Sequence, residues 1–117
     1  MNCVRFVGAA AVVLVLQGCG SQDCNEEALF GLSVRVQDSS SAEVCDATVT
    51  ATDGTYSEVL SAGGSAQYCV FFGAVERPGT YTVTAEQGGV IGTVPGLKVR
   101  SDECHVITEE VTVKLGA

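Results

Sequence analysis

The chain has 117 residues, six cysteines and no tryptophan, and its formal net charge is −8 at pH 7. This length fits one folded domain. The acidic excess argues against nucleic acid as a partner and against electrostatic attraction to anionic lipid.

The first 18 residues have the composition of a cleaved signal peptide. Arg5 supplies an early positive charge, and residues 6–16 are apolar apart from Gly8. That run is well short of the roughly 20 apolar residues that span a bilayer. The stretch Leu16-Gln17-Gly18-Cys19 resembles the lipobox of bacterial lipoproteins. The resemblance implies cleavage after Gly18 and attachment of a diacylglyceryl group, with fatty acyl chains such as palmitate, to Cys19.

The number of cysteines separates a lipoprotein from an ordinary secreted protein in which Cys19 is incidental. Cys3 leaves with the leader, so five cysteines remain. An odd number leaves an unpaired thiol in an oxidising compartment, whereas lipidation of Cys19 leaves four for disulfides. We therefore expect a lipoprotein of the bacterial cell envelope, anchored to the membrane through Cys19. Gly20 is not the Asp that retains such proteins at the inner membrane of enteric bacteria, so the outer membrane is favoured if the cell is Gram-negative.

Residues 19–28 are predicted to be a lipidated acidic tether, and residues 29–117 the folded domain. Alternation of apolar and polar residues predicts strands over 29–37 and 45–52, then a hairpin at Asp53-Gly54 and a returning strand over 55–60. Residues 61–65 are predicted to be a flexible loop. Further strands are expected over 66–74, 80–86, 90–94, 97–100 and 104–115, with turns at Pro78-Gly79, at residues 87–89 and at Pro95-Gly96.

About seven short strands at regular spacing, with no helical periodicity, predict an all-β fold. The expected architecture is a single antiparallel β-sandwich of the transthyretin-like or Ig-like kind.

Two stretches carry a family resemblance. Residues 45–54 and residues 76–85, which include Pro-Gly-Thr-Tyr-Thr-Val at 78–83, are similar to carboxypeptidase regulatory-like domains, which are transthyretin-like β-sandwiches. Residues 102–106 and 111–115 resemble the last strand of secreted bacterial members. The resemblance covers residues 29–115 and implies a non-catalytic module. Transthyretin-like hydrolases share the fold, but their several active-site His and Arg residues and their C-terminal motif have no counterpart here.

Four cysteines allow three disulfide connectivities, and sequence alone leaves them open. We favour Cys45–Cys69, which would join neighbouring strands, and Cys24–Cys104, which would tie the segment before the first strand to the start of the last. A zinc site is the alternative use of these cysteines. The absence of a Cys-x-x-Cys spacing and the single histidine argue against it.

Acidic residues flank two of these cysteines. Asp23, Glu26 and Glu27 surround Cys24, and Asp102 and Glu103 precede Cys104. If Cys24 and Cys104 are joined, these five carboxylates gather at one pole, where they are candidate ligands for calcium. The simpler interpretation is a solvated acidic end, and we expect no metal or other cofactor.

His105 is the only histidine, and we expect it to be packed or hydrogen-bonded rather than catalytic. A small hydrolase that uses His105 with a Ser or Asp neighbour is an alternative hypothesis. The favoured hypothesis is a non-enzymatic binding or structural module whose partner is an unknown envelope protein or glycan. A further alternative is an accessory subunit of a larger envelope enzyme or transport machine. Candidate aromatic residues for glycan contact are Tyr56, Tyr68, Phe71 and Phe72, although Phe71 and Phe72 should point to opposite faces of one strand.

Overall fold

The computed structural model describes residues 24–64 and 69–116, and nine β-strands account for most of these described residues. The predicted leader, Cys19, Asp23 and Tyr68 lie outside the described residues. The strands are β1 (Phe30–Gln37), β2 (Thr48–Asp53), β3 (Tyr56–Val59), β4 (Ser61–Gly64), β5 (Cys69–Val75), β6 (Gly79–Gln87), β7 (Val90–Ser101), β8 (Val106–Ile107) and β9 (Glu109–Lys114).

The strands form two sheets that face each other across one core. One sheet has the order β4-β5-β1-β9 and the other the order β3-β2-β6-β7-β8. Alternate residues of the strands point inward, as a half-buried sheet requires. The side chains at the centre are fully or almost fully buried; they are Leu32, Val34, Val36, Val49, Ala51, Phe71, Tyr81, Val83, Ala85, Val99 and Val113. The predicted all-β sandwich is therefore the fold of this chain.

One strand pair is parallel, which differs from the purely antiparallel sandwich expected. β1 and β9 run side by side in the same direction, from the Leu32–Glu109 pair to the Gln37–Lys114 pair. The short strand β8 pairs with the end of β7 and returns the chain to the point where β1 begins. There the hydroxyl of Thr108 donates to the carbonyl oxygen of Phe30 at 2.7 Å. Strand β9 must therefore start at the same end of the sandwich as β1.

Residues 61–64 form β4 instead of the flexible loop that their Gly and Ser content predicted. β4 pairs antiparallel with β5, from Ser61–Phe72 to Gly64–Cys69. The chain leaves β3 in one sheet, buries Leu60 and enters the other sheet directly. Small residues suit this position because a strand at a sheet edge has packing partners on one side only.

The Pro95-Gly96 pair lies inside β7 and does not divide it into two strands as predicted. Tyr81 pairs with Leu97 and Val83 with Val94, so the single residue Thr82 faces both Pro95 and Gly96. This is a β-bulge, in which an extra residue is left out of the ladder. Proline is tolerated at such a position because no N–H is needed there, and Gly96 adopts a φ of 71°.

Turn chemistry explains two other connections. Gly88 and Gly89, with φ of 60° and 83°, form the tight turn between β6 and β7 that the sequence predicted. The β2–β3 hairpin is shifted by one residue from the expected position. Asp53 pairs with Tyr56, so its loop residues are Gly54 and Thr55.

The strand directions define two ends of the sandwich. We call the end that holds residues 24–29, the turn after β5 and the loop after β7 the near pole, and the opposite end the far pole. Two disulfides, Cys24–Cys104 and Cys45–Cys69, are the pairings that the sequence favoured. Cys24–Cys104 lies at the near pole and Cys45–Cys69 at the far pole. Each joins a segment attached to one sheet to a segment attached to the other.

Candidate functional site at the near pole

A cleft of about 500 Å³ opens at the near pole. Its walls are the chain that leads into β1, the turn between β5 and β6, and the loop between β7 and β8. The lining residues include Asn25, Glu26, Glu27, Glu76, Pro78, Asp102, Glu103 and His105. The Cys24–Cys104 disulfide fixes one wall to another. The cleft therefore gathers His105 and four of the acidic residues that the sequence singled out.

The loop after β7 is held by Asp102. The carboxylate oxygen Oδ1 of Asp102 accepts hydrogen bonds from the backbone N–H groups of Cys104, at 2.8 Å, and His105, at 2.9 Å. The pKa of Asp102 lies below its ordinary value; the hydrogen bond from the N–H of His105 contributes most to this lowering, and that from the N–H of Cys104 contributes next. These bonds form a tight local turn of the kind that aspartate favours. The turn directs Cys104 and His105 toward the segment that precedes β1.

Glu76 connects three segments of the near pole and was not identified from the sequence. Its Oε2 atom accepts from the backbone N–H of Leu29 at 2.9 Å, and its Oε1 atom accepts from that of Val106 at 3.0 Å. Its own N–H donates to the carbonyl oxygen of Leu29 at 2.9 Å. Glu76 has a φ of 48°, an uncommon backbone conformation for a residue with a side chain. The pKa of Glu76 lies below its ordinary value; the hydrogen bond from Leu29 contributes most to this lowering, and the bond from His105 contributes next.

The imidazole of His105 lies between two oxygen atoms. Its Nδ1 atom is 2.6 Å from Oε2 of Glu76, and its Nε2 atom is 2.9 Å from Oδ1 of Asn25. A protonated imidazole donates from both nitrogens, whereas the neutral ring donates from one. The side chain is 17 % exposed. The expectation of a hydrogen-bonded histidine is therefore confirmed, and both ring nitrogens are occupied by Glu76 and Asn25 rather than by a serine nucleophile.

The candidate calcium ligands that the structure describes line the same cleft but do not form a metal-binding group. Glu26, Glu27, Asp102 and Glu103 all line it. Within residues 24–64 and 69–116, however, no group of three or more His, Cys, Asp or Glu side chains is placed to hold a metal ion. Asp102 is already engaged by its own loop. Glu26, Glu27, Asp102 and Glu103 are all exposed to solvent.

The other side of the near pole carries an aromatic and cationic cluster. Arg77 lies with its guanidinium carbon 3.7 Å from the ring centre of Tyr56, and its Nη1 atom donates to Asp53 at 3.1 Å and to the hydroxyl oxygen of Tyr81 at 2.9 Å. The Tyr81 hydroxyl donates to the carbonyl oxygen of Arg77 at 2.8 Å. The hydrogen bonds to Tyr81 and Asp53 raise the pKa of Arg77, and the bond to Tyr81 has the larger effect. These contacts fix the β2–β3 and β5–β6 turns to each other.

The aromatic residues that were candidates for ligand contact differ in burial, because neighbouring residues of a strand point to opposite faces of the sheet. Phe71 is only 2 % exposed and belongs to the core. Phe72 points to the outer face of its sheet, where its ring centre lies 5.0 Å from that of Phe30. Tyr56 packs under Arg77. The prediction that Phe71 and Phe72 face opposite ways is confirmed.

Sequence reasoning missed Glu76 because its partners are distant along the chain. It lies 47 residues from Leu29 and 29 residues from His105. A lone Glu between an apolar strand and Arg-Pro-Gly was the one available signal, and it is equally typical of a solvated turn residue.

The described residues include no helix of the length and apolarity that crossing a bilayer requires. No protein-family model, curated protein or solved structure matches this chain.

Proposed function

We propose that this protein is a lipid-anchored, non-catalytic module of the bacterial cell envelope with a carboxypeptidase regulatory-like fold, which binds or supports another envelope component. One observation carries the proposal. The single histidine, which any His-dependent catalysis would need, binds Glu76 and Asn25 and so holds the N-terminal segment on the domain. The lipobox at Leu16-Gln17-Gly18-Cys19 supplies the reason for that segment to be held.

Three contacts hold the N-terminal segment. Cys24 is covalently joined to Cys104, Asn25 is bonded to His105, and the backbone of Leu29 both donates to and accepts from Glu76. A segment that served only as a flexible linker would not need to be bonded to the domain in this way. Cys24 lies five positions after Cys19, and at about 3.4 Å per residue this stretch spans at most about 17 Å. An acylated Cys19 would therefore keep the near pole close to its bilayer.

The edge of β4 is the best surface for a partner. β4 bears no charge along Ser61–Gly64, and its outer side has no neighbouring strand in the described sheet. The edge of β9 is partly covered, because the N–H of Gly116 donates to the carbonyl oxygen of Ile91 in β7 at 2.9 Å. An uncharged, unpaired edge can add an extended segment of another chain through backbone hydrogen bonds. A stand-alone module and an accessory subunit of a larger envelope machine could both use this edge.

The test is the intact mass of protein extracted from membranes, measured before and after reduction. We expect residues 19–117 plus acyl chains, with a gain of four hydrogens on reduction of the two disulfides. A Cys19→Ser variant is the control and should lose the acyl mass and membrane association together. Wild-type protein without acyl chains would contradict the proposal.

Crosslinking in whole envelopes tests the β4 edge. We expect the wild-type protein to form a crosslinked adduct with its partner, and we expect that adduct to be absent from a variant carrying Ala62→Lys on β4.

A further inference from the structure

An apolar patch lies on the outside of the near pole. Phe30, Val75 and Ile107 are 42 %, 48 % and 53 % exposed, and the ring of Phe72 stacks at a tilt against that of Phe30. We call these four residues the near-pole patch. Single exposed apolar residues are ordinary on protein surfaces, but several that lie at one end of a domain and include two stacked aromatic rings indicate a contact surface.

The sheet register brings the members of the patch together. Phe30 is the β-ladder partner of Val75, and Phe72 lies on the same outer face of β5 because its neighbour Phe71 points into the core. Ile107 directly precedes Thr108, whose hydroxyl donates to the carbonyl oxygen of Phe30. The patch thus combines the start of β1, the end of β5 and the strand β8 at one end of the sandwich.

The position of the anchor indicates what covers this patch. Cys24 is fixed at the near pole by its disulfide, and Cys19 is five residues away along the chain. With at most about 17 Å of extended chain between them, the acylated cysteine and the near pole must share one bilayer surface. A second pair of exposed apolar residues, Val90 and Ile91, lies at the far pole, out of reach of that surface.

We propose that the near-pole patch lies against the bilayer that holds the Cys19 acyl chains, so that the domain contacts the lipid interface through Phe30, Phe72, Val75 and Ile107. This inference rests on the proposed function, because it needs the lipid anchor. Partial burial of apolar side chains at the interface adds to the anchor and fixes the orientation of the domain. The β4 edge then remains available to a partner.

Charge sets the lipid preference of this contact. Glu26, Glu27 and Glu103 are exposed at the same pole, and the residues after Gly18 comprise five basic and fourteen acidic ones, a net charge of −9. Anionic headgroups would repel this end at low ionic strength, and the repulsion would weaken as salt screens it. We therefore expect the contact to be closest on zwitterionic lipid.

The chain has no tryptophan, so a single introduced tryptophan is the only source of tryptophan fluorescence in the test. The lipidated protein carrying Phe72→Trp is reconstituted into vesicles of phosphatidylethanolamine and phosphatidylcholine brominated on its acyl chains near the headgroup. Ile91→Trp at the far pole is the matched control. We expect bromine to quench the Phe72→Trp variant several-fold more strongly than the Ile91→Trp variant, and anionic lipid at low salt to reduce the difference. Phe30→Trp is the second reporter if Phe72→Trp lowers the yield of folded protein.

Each outcome decides between the two proposals. Equal quenching at both positions in protein of acylated mass overturns the patch and leaves the anchored module standing. A blue-shifted but unquenched emission from the Phe72→Trp variant means that protein, such as a second copy of the chain, covers the patch, which also overturns bilayer contact. A sample whose mass lacks acyl chains removes the proposed function and the inference with it.

Discussion

The carboxylate of Glu76 accepts hydrogen bonds from backbone groups that meet only when the chain folds. Leu29 and Val106 each donate an N–H, and His105 adds a ring nitrogen. All three favour the ionised carboxylate, so the folded-state pKa of Glu76 lies below its ordinary value of 4.5. The stability that this contributes is fully present above the ordinary pKa and is lost as the pH falls through the lowered folded-state pKa.

Glu76→Gln should therefore lower the melting temperature at pH 7 by several degrees. The amide removes the charge and presents an N–H₂ group to one of the donors that the carboxylate accepts from. The difference between the two proteins should shrink as the pH falls below 4.5, since the wild type then loses the same charge. Thermal melting followed by circular dichroism between pH 3 and pH 8 measures it.

Glu110→Gln on β9 is the matched control for the loss of one negative charge. Glu110 is exposed on the outer face of its strand, so its substitution should leave the melting temperature nearly unchanged at each pH. An equal shift in both variants would show that overall charge, not the bonding of Glu76, sets the acid sensitivity.

At the scale of the strands, β7 and β9 approach each other closely at Gly92. A Cβ atom at this position would overlap the backbone carbonyl of Lys114, which has no room to move as a side chain would. The neighbouring Gly116–Ile91 hydrogen bond closes the same seam between the two sheets. Glycine is required here for packing and not for its backbone freedom.

Gly92→Ala should force β7 and β9 apart and reduce the free energy of unfolding by about 1–3 kcal/mol, the usual cost of overpacking. Urea denaturation measures this. Gly63→Ala on β4 is the control, because its Cβ would lie 3.4 Å from the Phe72 ring, at an ordinary contact distance. If the Gly92→Ala protein has the same free energy of unfolding as the wild type, the two strands can move apart at this position without a cost in stability.

Elements with strong alternation were predictable from the sequence. Residues 32–36 and 80–86 place their apolar side chains in the core as the pattern indicates. The favoured disulfide pairs are present, although sequence alone left three connectivities open. The reason given for one of them was wrong: Cys45–Cys69 joins segments of the two sheets and not two neighbouring strands.

The elements that could not be predicted depend on distant neighbours. β4 has the composition of a loop and forms a strand only because β5 offers it an edge. Pro95-Gly96 has the composition of a turn, and only the register against Thr82 makes it a bulge. Glu76 shows the same limit at the candidate site, since its partners His105 and Leu29 come together through tertiary structure alone.

At the scale of the molecule, one disulfide stabilises each pole. Cys24–Cys104 closes a loop with a sequence separation of 80, and Cys45–Cys69 one of 24. In the chain-entropy model, these loops correspond to about 4.5 and about 3.5 kcal/mol of stabilisation. The core has no tryptophan, so bridges of this size are a large part of the stability of such a domain.

Replacing both cysteines of either pair by serine should therefore lower the midpoint of urea denaturation substantially, with the larger effect for the Cys24–Cys104 pair. The two double variants serve as controls for each other. Limited proteolysis separates them further: loss of the near-pole bridge should expose residues 25–28 to cleavage, and loss of the far-pole bridge should not. Unchanged cleavage in the near-pole variant would mean that Glu76 and His105 hold the segment without the disulfide.

The Cys24–Cys104 bond also determines how the domain would bear mechanical load. A pull on the N-terminal segment passes from Cys24 directly into Cys104, so β1 is not peeled from its sheet first. The segment between the two cysteines, with a sequence separation of 80, would extend to about 270 Å if free, and the bond shields it from a force applied between residues 24 and 116. Only the stretch of about 12 residues that follows Cys104 can lengthen under that force, by at most about 40 Å. A domain connected in this way acts as a short, stiff link under tension.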